Sequence, residues 1–199
     1  MKKKIILASA SPRRLELMQQ IGIIPEIITG NVNEEWDGRL SGRELARQLA
    51  LKKAQACANK VREGIIISAD TVVVLEDRIY GKPKDFNQAM EMLCSLSGKK
   101  HSVITGIAVL ECPEGKVMVD YEETHVIFKT LTDNEIRSYI DWGESWDKAG
   151  GYGIQGKGAL LVERIEGDYY NVVGLPLQKL NNLLMDFNIN LLMEEIFQE

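Results

Sequence analysis

The sequence predicts a mixed α/β fold in which one long β-sheet has helices packed on its faces. Strand-like runs rich in β-branched residues alternate with helix-like periodic segments along most of the chain. Two strand-like runs, 102–110 and 116–129, follow each other across a Pro-Glu-Gly turn, which indicates antiparallel pairing and argues against a uniformly parallel sheet. The 199 residues allow one compact domain or two small lobes.

A strand and two helices are predicted in the N-terminal third of the chain. Residues 4–8 are a short apolar run that fits a buried strand. Ser11 occupies an N-cap position and is followed by a proline at the first helical position. Ser41 and Glu44 form the capping-box pattern, which begins a second helix that continues to about Lys60.

The remaining elements continue this alternation. Segments 64–68 and 71–75 are predicted as strands because nearly every position is β-branched or apolar. Asp85 and Thr132 occupy the N-cap positions of two further helices. The last two predicted elements are a strand and a helix, at 159–165 and 177–187.

Composition and charge exclude several classes of protein. With 24 basic and 29 acidic residues the net charge is −5, whereas proteins that bind nucleic acid usually carry a basic surface. No apolar run approaches the roughly 20 residues of a transmembrane helix. The three cysteines, Cys57, Cys94 and Cys112, include no C-x-x-C pair, which is typical of reduced thiols in the cytoplasm. We therefore expect a cytoplasmic protein without a nucleic-acid or membrane partner.

Residues 9–14 place two hydroxyls and two guanidinium groups where a strand leads into a helix. A helix N-terminus presents unpaired N–H groups and the positive end of the helix dipole, and both favour phosphate. Ser9, Ser11, Arg13 and Arg14 would add donors suited to phosphate oxygens. The alternative is an ordinary Ser-Pro helix cap with both arginines in water.

Two charged residues interrupt patterns that are otherwise apolar. Lys53 lies on the apolar face of the second helix, so its ammonium either extends to water or serves a buried anionic site. Asp70 comes after the predicted strand 64–68, at the end where α/β sheets bind ligands. The alternative for Asp70 is an aspartate that caps a local turn. Lys82 follows the next predicted hairpin in the chain, and that hairpin would bring Lys82 back close to Asp70.

The segment from Gly143 to Gly158 contains six glycines, with Trp146, Tyr152 and Gln155 among them. Such a segment permits close approach of the backbone to a ligand. Gln155 has both a donor and an acceptor for the edge of a base, and Tyr152 or Trp146 would stack on that base. The alternative is a flexible surface loop, against which the interleaved aromatic residues argue.

The sequence does not contain the residue patterns that several common catalytic mechanisms require. The two histidines, His101 and His125, belong to no metal-binding spacing, and a Ser–His or Cys–His nucleophile would require one of them. The G-x-x-x-x-G-K-[ST] motif of P-loop proteins does not occur. The remaining carboxylates, lysines and arginines suit oxygen-ligated Mg²⁺ or Mn²⁺ acting on phosphates.

Six short motifs follow one another over nearly the whole chain. They are LASASPRR at 7–14, ADTVV at 69–73, GKP at 81–83, LSG at 96–98, DKAGGYGIQG at 147–156 and GLPL at 174–177. Together they resemble the Maf family of nucleoside triphosphate pyrophosphatases, once described as septum-formation inhibitors. The resemblance implies a Maf/ITPase-like elongated mixed sheet flanked by helices, with two lobes and a central cleft. It also implies a single domain over residues 1–199 and, commonly, a homodimer.

The motif YGIQG at 152–156 is similar to the family branch that cleaves dTTP and UTP. The resemblance to that branch implies that Asp70 is the proton acceptor of the reaction. It also implies that Arg13, Thr71 and Gln155 select the pyrimidine nucleotide. Modified pyrimidine triphosphates such as 5-methyl-UTP and pseudo-UTP are further candidate substrates.

The resemblance also implies a divalent cation and a set of phosphate contacts. Mg²⁺ or Mn²⁺ would be held by Asp70 and a glutamate, which is matched by Glu34 with Glu35 as the alternative. The expected phosphate contacts come from Ser9, Ser11, Arg13, Lys53 and Lys82. Water attacking the α-phosphorus would then give dTMP or UMP and pyrophosphate. The alternative function is a nucleotide-binding regulator of cell division or septum formation that needs no turnover.

Overall fold

The computed structural model describes residues 3–33 and 38–193, which form one mixed sheet with helices packed against it. The strands are β1 Ile5–Leu7, β2 Glu26–Ile27, β3 Gly64–Leu75, β4 Arg78–Tyr80, β5 Lys100–Cys112, β6 Val117–Phe128 and β7 Val162–Glu166. The α-helices are α1 Pro12–Gln20, α2 Gly42–Ala58, α3 Phe86–Leu96, α4 Asp133–Asp141, α5 Tyr169–Val173 and α6 Leu177–Met185. Short 3₁₀ helices cover Ala149–Gly151 and Gly156–Leu160. None of the helices in the described ranges is long and apolar enough to cross a membrane.

The sheet combines parallel and antiparallel pairs, as the sequence predicts. Its strand order is β2-β1-β3-β5-β6-β7, and β4 pairs with β3 outside this path. β1 runs parallel to both β2 and β3, whereas β4 is antiparallel to β3 and β7 is antiparallel to β6. A tight turn joins β5 to β6, and the Glu111 N–H donates to the Lys116 carbonyl at 2.9 Å beside it. The predicted α/β class with a mixed sheet is therefore confirmed.

The chain divides into two compact units, which share the three long strands. Unit 1 comprises residues 1–70, 105–122 and 174–199, and unit 2 comprises residues 71–104 and 123–173. β3, β5 and β6 each contribute one part to unit 1 and the other part to unit 2. On β3 the boundary between unit 1 and unit 2 falls between Asp70 and Thr71, two of the predicted site residues.

In unit 1, helix α2 packs closely on the sheet. The apolar stripe predicted for α2 is buried as expected: Leu45, Ala46, Leu49, Ala50, Ala54 and Cys57. Below it on β5 lies Gly106, where any Cβ would overlap the backbone of Ala46. Glycine at this position therefore allows α2 to approach the sheet closely enough for its side chains to reach the polar groups of β3.

In unit 2, the core is rich in aromatic rings. His101, Phe128 and Tyr152 contact one another edge to face, with ring centroids 4.6 to 5.5 Å apart. Helices α3 and α4 add buried aliphatic side chains to the same core, including Leu93 and Ile136. The Tyr152 side chain thus belongs to the hydrophobic core, where its hydroxyl needs a hydrogen-bond partner.

The four predicted N-cap residues all precede helices in the structure, and three of them cap the helix with their side chains. Ser41 and Thr132 each form a full capping box, and the Asp85 carboxylate accepts from the Gln88 N–H at 2.8 Å. Ser11 is the residue before α1, but its side chain caps no helical N–H group.

Four elements differ from the sequence prediction. β3 continues without a break through Asp70, so the prediction of two strands with Asp70 at a strand end is wrong. Aspartate is tolerated inside β3 because Lys53 neutralises its carboxylate from the neighbouring helix. The predicted strand 159–165 begins only at Val162, after a 3₁₀ turn. The two-residue strand β2 and the short helix α5 are too brief to produce a periodic sequence pattern.

Candidate active site

An ion pair between Asp70 and Lys53 is the centre of the polar region in unit 1. The Lys53 Nζ donates to Asp70 Oδ1. The Asp70 side chain is 11% exposed and the Lys53 side chain is 18% exposed. The pair is therefore largely shielded from water, although a small part of each side chain remains exposed. The alternative in which the Lys53 ammonium extends to water is wrong, because it binds a buried carboxylate instead.

The periodicities of β3 and α2 create this pair. Alternate residues of a strand face the same side, so Ser68 and Asp70 both face α2. The Ser68 Oγ donates to the carbonyl of Ala50 at 2.7 Å and fixes the register between strand and helix. Lys53 follows Ala50 by three residues and therefore stands one turn further along the same helical face. From there its side chain reaches Asp70.

The N-terminus of α1 lies in the same unit and combines two serine hydroxyls with two arginines. The Ser9 Oγ is buried and accepts from the Ser11 N–H and from Arg14 Nη1, each at 3.2 Å. Arg14 Nε donates to the Gly174 carbonyl at 2.7 Å. Arg14 therefore connects the loop before α1 to the Gly174 carbonyl. Arg13, like Arg14, is half-buried. The first turn of α1 contains no acidic residue, so its dipole and N–H groups favour an anion.

In unit 2, the glycine-rich segment lies beside the loop that carries Lys82. The Gly150 N–H donates to the Gly81 carbonyl at 3.0 Å. A Cβ on Gly150 would lie 3.2 Å from the side chain of Val73, which shares a face of β3 with Thr71. Lys82 is exposed immediately after β4. The fold of unit 2 thus brings the loop of Lys82 and the glycine-rich segment together beside β3.

Tyr152 does not serve as a stacking platform. It is buried, and the His101 Nε2 is hydrogen-bonded to its hydroxyl at 2.6 Å. Burial raises the pKa of Tyr152 well above its usual value and lowers the pKa of His101 to about 4. Trp146 is 42% exposed and remains available for stacking. Gln155 is half-buried, which suits a side chain that must meet a ligand.

Oxygen ligands for a divalent cation are sparse in the described part of the chain. Within residues 3–33 and 38–193, no group of three or more His, Cys, Asp or Glu side chains is arranged to hold a metal ion. Glu34 and Glu35, the predicted glutamate ligands, lie outside the described residues. Asp70 alone still fits Mg²⁺, because this cation commonly takes one or two carboxylates and completes its shell with water and substrate phosphates.

Comparison with known proteins identifies the family. The family model described as "Maf-like protein" matches residues 4–187 of the chain. The chain belongs to the Maf family. A "dTTP/UTP pyrophosphatase" of Dictyoglomus turgidum is 52% identical over 96% of this chain and 100% of its own length. A protein of the same name from Alkaliphilus oremlandii is also 52% identical, over 96% of this chain and 100% of its own. One from Caldicellulosiruptor bescii is 48% identical over 98% of this chain and 100% of its own.

A solved structure entitled "The structure of the Staphylococcus aureus Ham1 protein" has a TM-score of 0.46 and 17% identity. The matched region covers 63% of this chain and 72% of the Staphylococcus aureus chain.

Three residues that contact the glycine-rich segment or its aromatic core carry no signal in the sequence. In this Maf protein, Tyr139 and Glu144 accept backbone hydrogen bonds from the segment, and His101 contacts Tyr152. They come from elements that are distant in the chain or from an irregular loop. A buried tyrosine on a helix resembles any other core residue, so no pattern could have assigned these roles.

Proposed function

We propose that this Maf protein is a nucleoside triphosphate pyrophosphatase that hydrolyses dTTP and UTP to the nucleoside monophosphate and pyrophosphate. The observation that carries this proposal is the Asp70–Lys53 pair, a shielded carboxylate held by a cation. The similarity to relatives named dTTP/UTP pyrophosphatase over their full length supports the same activity. Modified pyrimidine triphosphates such as 5-methyl-UTP and pseudo-UTP are additional substrates within this proposal.

The reaction needs a base and a set of cations, and the residues of this chain supply both. Asp70 accepts a proton from the water whose oxygen attacks the α-phosphorus. The bond between that phosphorus and the oxygen bridging to the β-phosphate breaks, and pyrophosphate leaves. Lys53, Lys82 and Arg13 stabilise the charge on the phosphate oxygens. Ser9 and Ser11 add hydroxyl donors at the N-terminus of α1.

A divalent cation, Mg²⁺ or Mn²⁺, completes the proposed chemistry. Asp70 and Glu34 would hold it, with Glu35 as the alternative to Glu34. When bound, such a cation neutralises phosphate charge and makes a water more acidic. Asp70 would then help to hold the cation as well as accept the proton, and we expect Lys53 to turn from Asp70 toward the incoming phosphates.

Base selection is assigned to Gln155 together with Arg13 and Thr71. Uracil and thymine present an N3–H donor between two carbonyl acceptors, and an amide side chain can donate and accept at once. Cytosine has an unprotonated N3 and an amino group, so it would leave polar groups of the site unpaired. We therefore expect dTTP and UTP to be cleaved well and CTP and purine triphosphates poorly.

The proposed cellular compartment and partners rest on the charge and composition of the chain and on the family resemblance. The protein acts in the cytoplasm, where the described cysteines Cys57, Cys94 and Cys112 remain free thiols. Its net charge of −5 argues against a nucleic-acid partner. Residues 1–199 act as a single Maf domain, and a homodimer is the assembly that the family resemblance implies.

A substrate panel tests this function. The purified protein is incubated with Mg²⁺ or Mn²⁺ and each of dTTP, UTP, CTP, ATP and GTP, and the products are separated by ion-exchange chromatography. We expect dTMP or UMP with equimolar pyrophosphate from the first two substrates. Release of orthophosphate and a nucleoside diphosphate would overturn the proposed reaction. Tight binding of dTTP without any product would support the regulator of cell division instead.

A further inference from the structure

The segment that carries Gln155 is irregular, so something other than a helix or strand ladder must fix its shape. Residues 150–158 contain two short 3₁₀ turns on either side of an extended stretch around Gln155. Extended backbone between turns has few internal hydrogen bonds and moves easily unless other groups hold it. Two side chains from residues before the segment provide such contacts, one on each side of Gln155.

The first contact is made by Tyr139 on α4. Its hydroxyl accepts a hydrogen bond from the Gly153 N–H at 3.2 Å, two residues before Gln155. Tyr139 is 4% exposed, and its helix is anchored by the buried side chains of Ile136 and Ile140. The acceptor therefore sits on a rigid element, as a group that positions another residue should.

The second contact is made by Glu144, in the turn after α4. Its Oε1 accepts from the Lys157 N–H at 3.4 Å, two residues after Gln155. A Cβ on Gly156 would lie 2.5 Å from the same oxygen, and Gly156 has a φ of +60°. The backbone thus bends around the carboxylate in a conformation that favours glycine. The Lys148 Nζ donates to the Glu144 carbonyl at 2.6 Å and holds the Glu144 backbone in place.

We infer that Tyr139 and Glu144 are positioning residues for base selection, since together they fix both flanks of Gln155. This inference rests on the proposed function, in which Gln155 reads the base. Neither residue needs to touch the nucleotide, because each acts on a backbone N–H two residues from Gln155. Their loss should weaken recognition of uracil more than it weakens the chemical step on the phosphates.

The test is the ratio of kcat/KM for UTP to that for CTP in matched variants. Tyr139→Phe removes only the hydroxyl, and Glu144→Ala removes the carboxylate. We expect each change to lower the ratio by about five- to tenfold, mainly through a higher KM for UTP, because one backbone donor loses its partner. Glu144→Gln retains an acceptor oxygen and should keep most of the ratio.

Two variants in unit 2 serve as controls for these changes. Tyr169→Phe alters an exposed tyrosine on α5, and Glu163→Ala alters an exposed glutamate on β7. Both should leave the ratio unchanged. Thermal melting of every variant identifies any protein that fails to fold. Tyr139→Phe preserves the aromatic ring, so it tests the role of the Tyr139 hydroxyl without disturbing the packing of α4.

A double-variant cycle separates positioning from a general structural effect. If Tyr139 acts through Gln155, adding Tyr139→Phe to Gln155→Ala should not lower the ratio further. Additive losses would overturn the inference. If Gln155→Ala lowers the ratio while Tyr139→Phe and Glu144→Ala do not, the positioning roles are wrong but the proposed function stands. If Gln155→Ala leaves the ratio unchanged, base reading by Gln155 fails, and the positioning roles fail with it.

Discussion

The two units of this Maf protein hold their proposed functional residues in different ways. In unit 1, Asp70 and Lys53 project from the middle of a strand and of a helix, and backbone ladders fix both. In unit 2, Gln155 lies on an irregular segment whose shape depends on side chains from α4 and the turn after it. The difference indicates that the proposed base Asp70 and its partner Lys53 sit on rigid elements, whereas Gln155, one of the residues proposed to choose the base, sits on a segment that can vary.

The largest effect that this contrast predicts is the loss of turnover in Asp70→Asn. Asparagine keeps the size of aspartate but cannot accept a proton from water at neutral pH. Loss of a general base typically lowers kcat by about 10²–10⁴-fold, and loss of a cation ligand adds to that. Pyrophosphate release at saturating UTP is the measurement.

Asp77→Asn is the control for this change, because Asp77 is exposed in the turn between β3 and β4. It should retain full activity. An Asp70→Asn protein that keeps more than about a tenth of the wild-type kcat would remove Asp70 from the mechanism.

Lys53→Ala should have the next largest effect, on both activity and stability. Removing a charge-stabilising donor from such a site commonly costs about 10²–10³-fold in kcat. The change also leaves the Asp70 carboxylate without its cation. Breaking a buried pair costs about 3–5 kcal/mol, and we expect less here because both side chains keep some exposure.

Lys52→Ala is the matched control for Lys53→Ala. Lys52 is exposed on the same helix, so its removal should alter neither turnover nor the urea midpoint. Equal effects of the two substitutions would mean that the ion pair with Asp70 has no special role.

Sequence periodicity was sufficient to predict that Lys53 lies on the apolar face of α2. The apolar stripe of α2 placed Lys53 on its inner face, and the structure confirms that orientation. Capping patterns likewise predicted the starts of α2, α3 and α4, because a cap is a local interaction between a side chain and nearby N–H groups.

The surroundings of Gln155 in unit 2 could not be predicted in the same way. The glycines there indicated close backbone approach but not which groups would approach. The burial of Tyr152 and the contacts from Tyr139 and Glu144 join residues 13 to 51 positions apart in the chain. Such contacts depend on tertiary packing, which leaves no periodic trace in one sequence. Asp70 was misplaced at a strand end for a related reason, since its charge is compensated from another element.

A smaller effect is expected from His101 in unit 2, on the dependence of folding stability on pH. Burial lowers its pKa from 6.5 to about 4, so the unfolded chain binds a proton that the folded protein excludes between these values. Stability contributed by neutral His101 is complete above pH 6.5 and is lost as the pH falls toward 4. The loss is at most about 3.5 kcal/mol, because the pKa falls from 6.5 to about 4 and one pKa unit corresponds to roughly 1.4 kcal/mol.

His101→Phe should remove this pH dependence. Urea denaturation of both proteins at several pH values between 4 and 7 measures it, and the difference in slope isolates His101 from the carboxylates. The substitution leaves the Tyr152 hydroxyl without its partner, which lowers stability equally at every pH in this range. Identical slopes in the two proteins would contradict a neutral buried His101.

The central claim is that Asp70 in unit 1 is needed for the chemical step and that Gln155 in unit 2 is needed for selection of the base. The most direct measurement is kcat/KM for UTP and for CTP in the wild type, Asp70→Asn and Gln155→Ala, at enzyme concentrations that reveal residual activity. We predict that Asp70→Asn lowers both values by a similar factor and leaves their ratio unchanged, whereas Gln155→Ala lowers the value for UTP and brings the ratio toward one. A ratio that is already one in the wild type, or that changes in Asp70→Asn but not in Gln155→Ala, would contradict this division of roles.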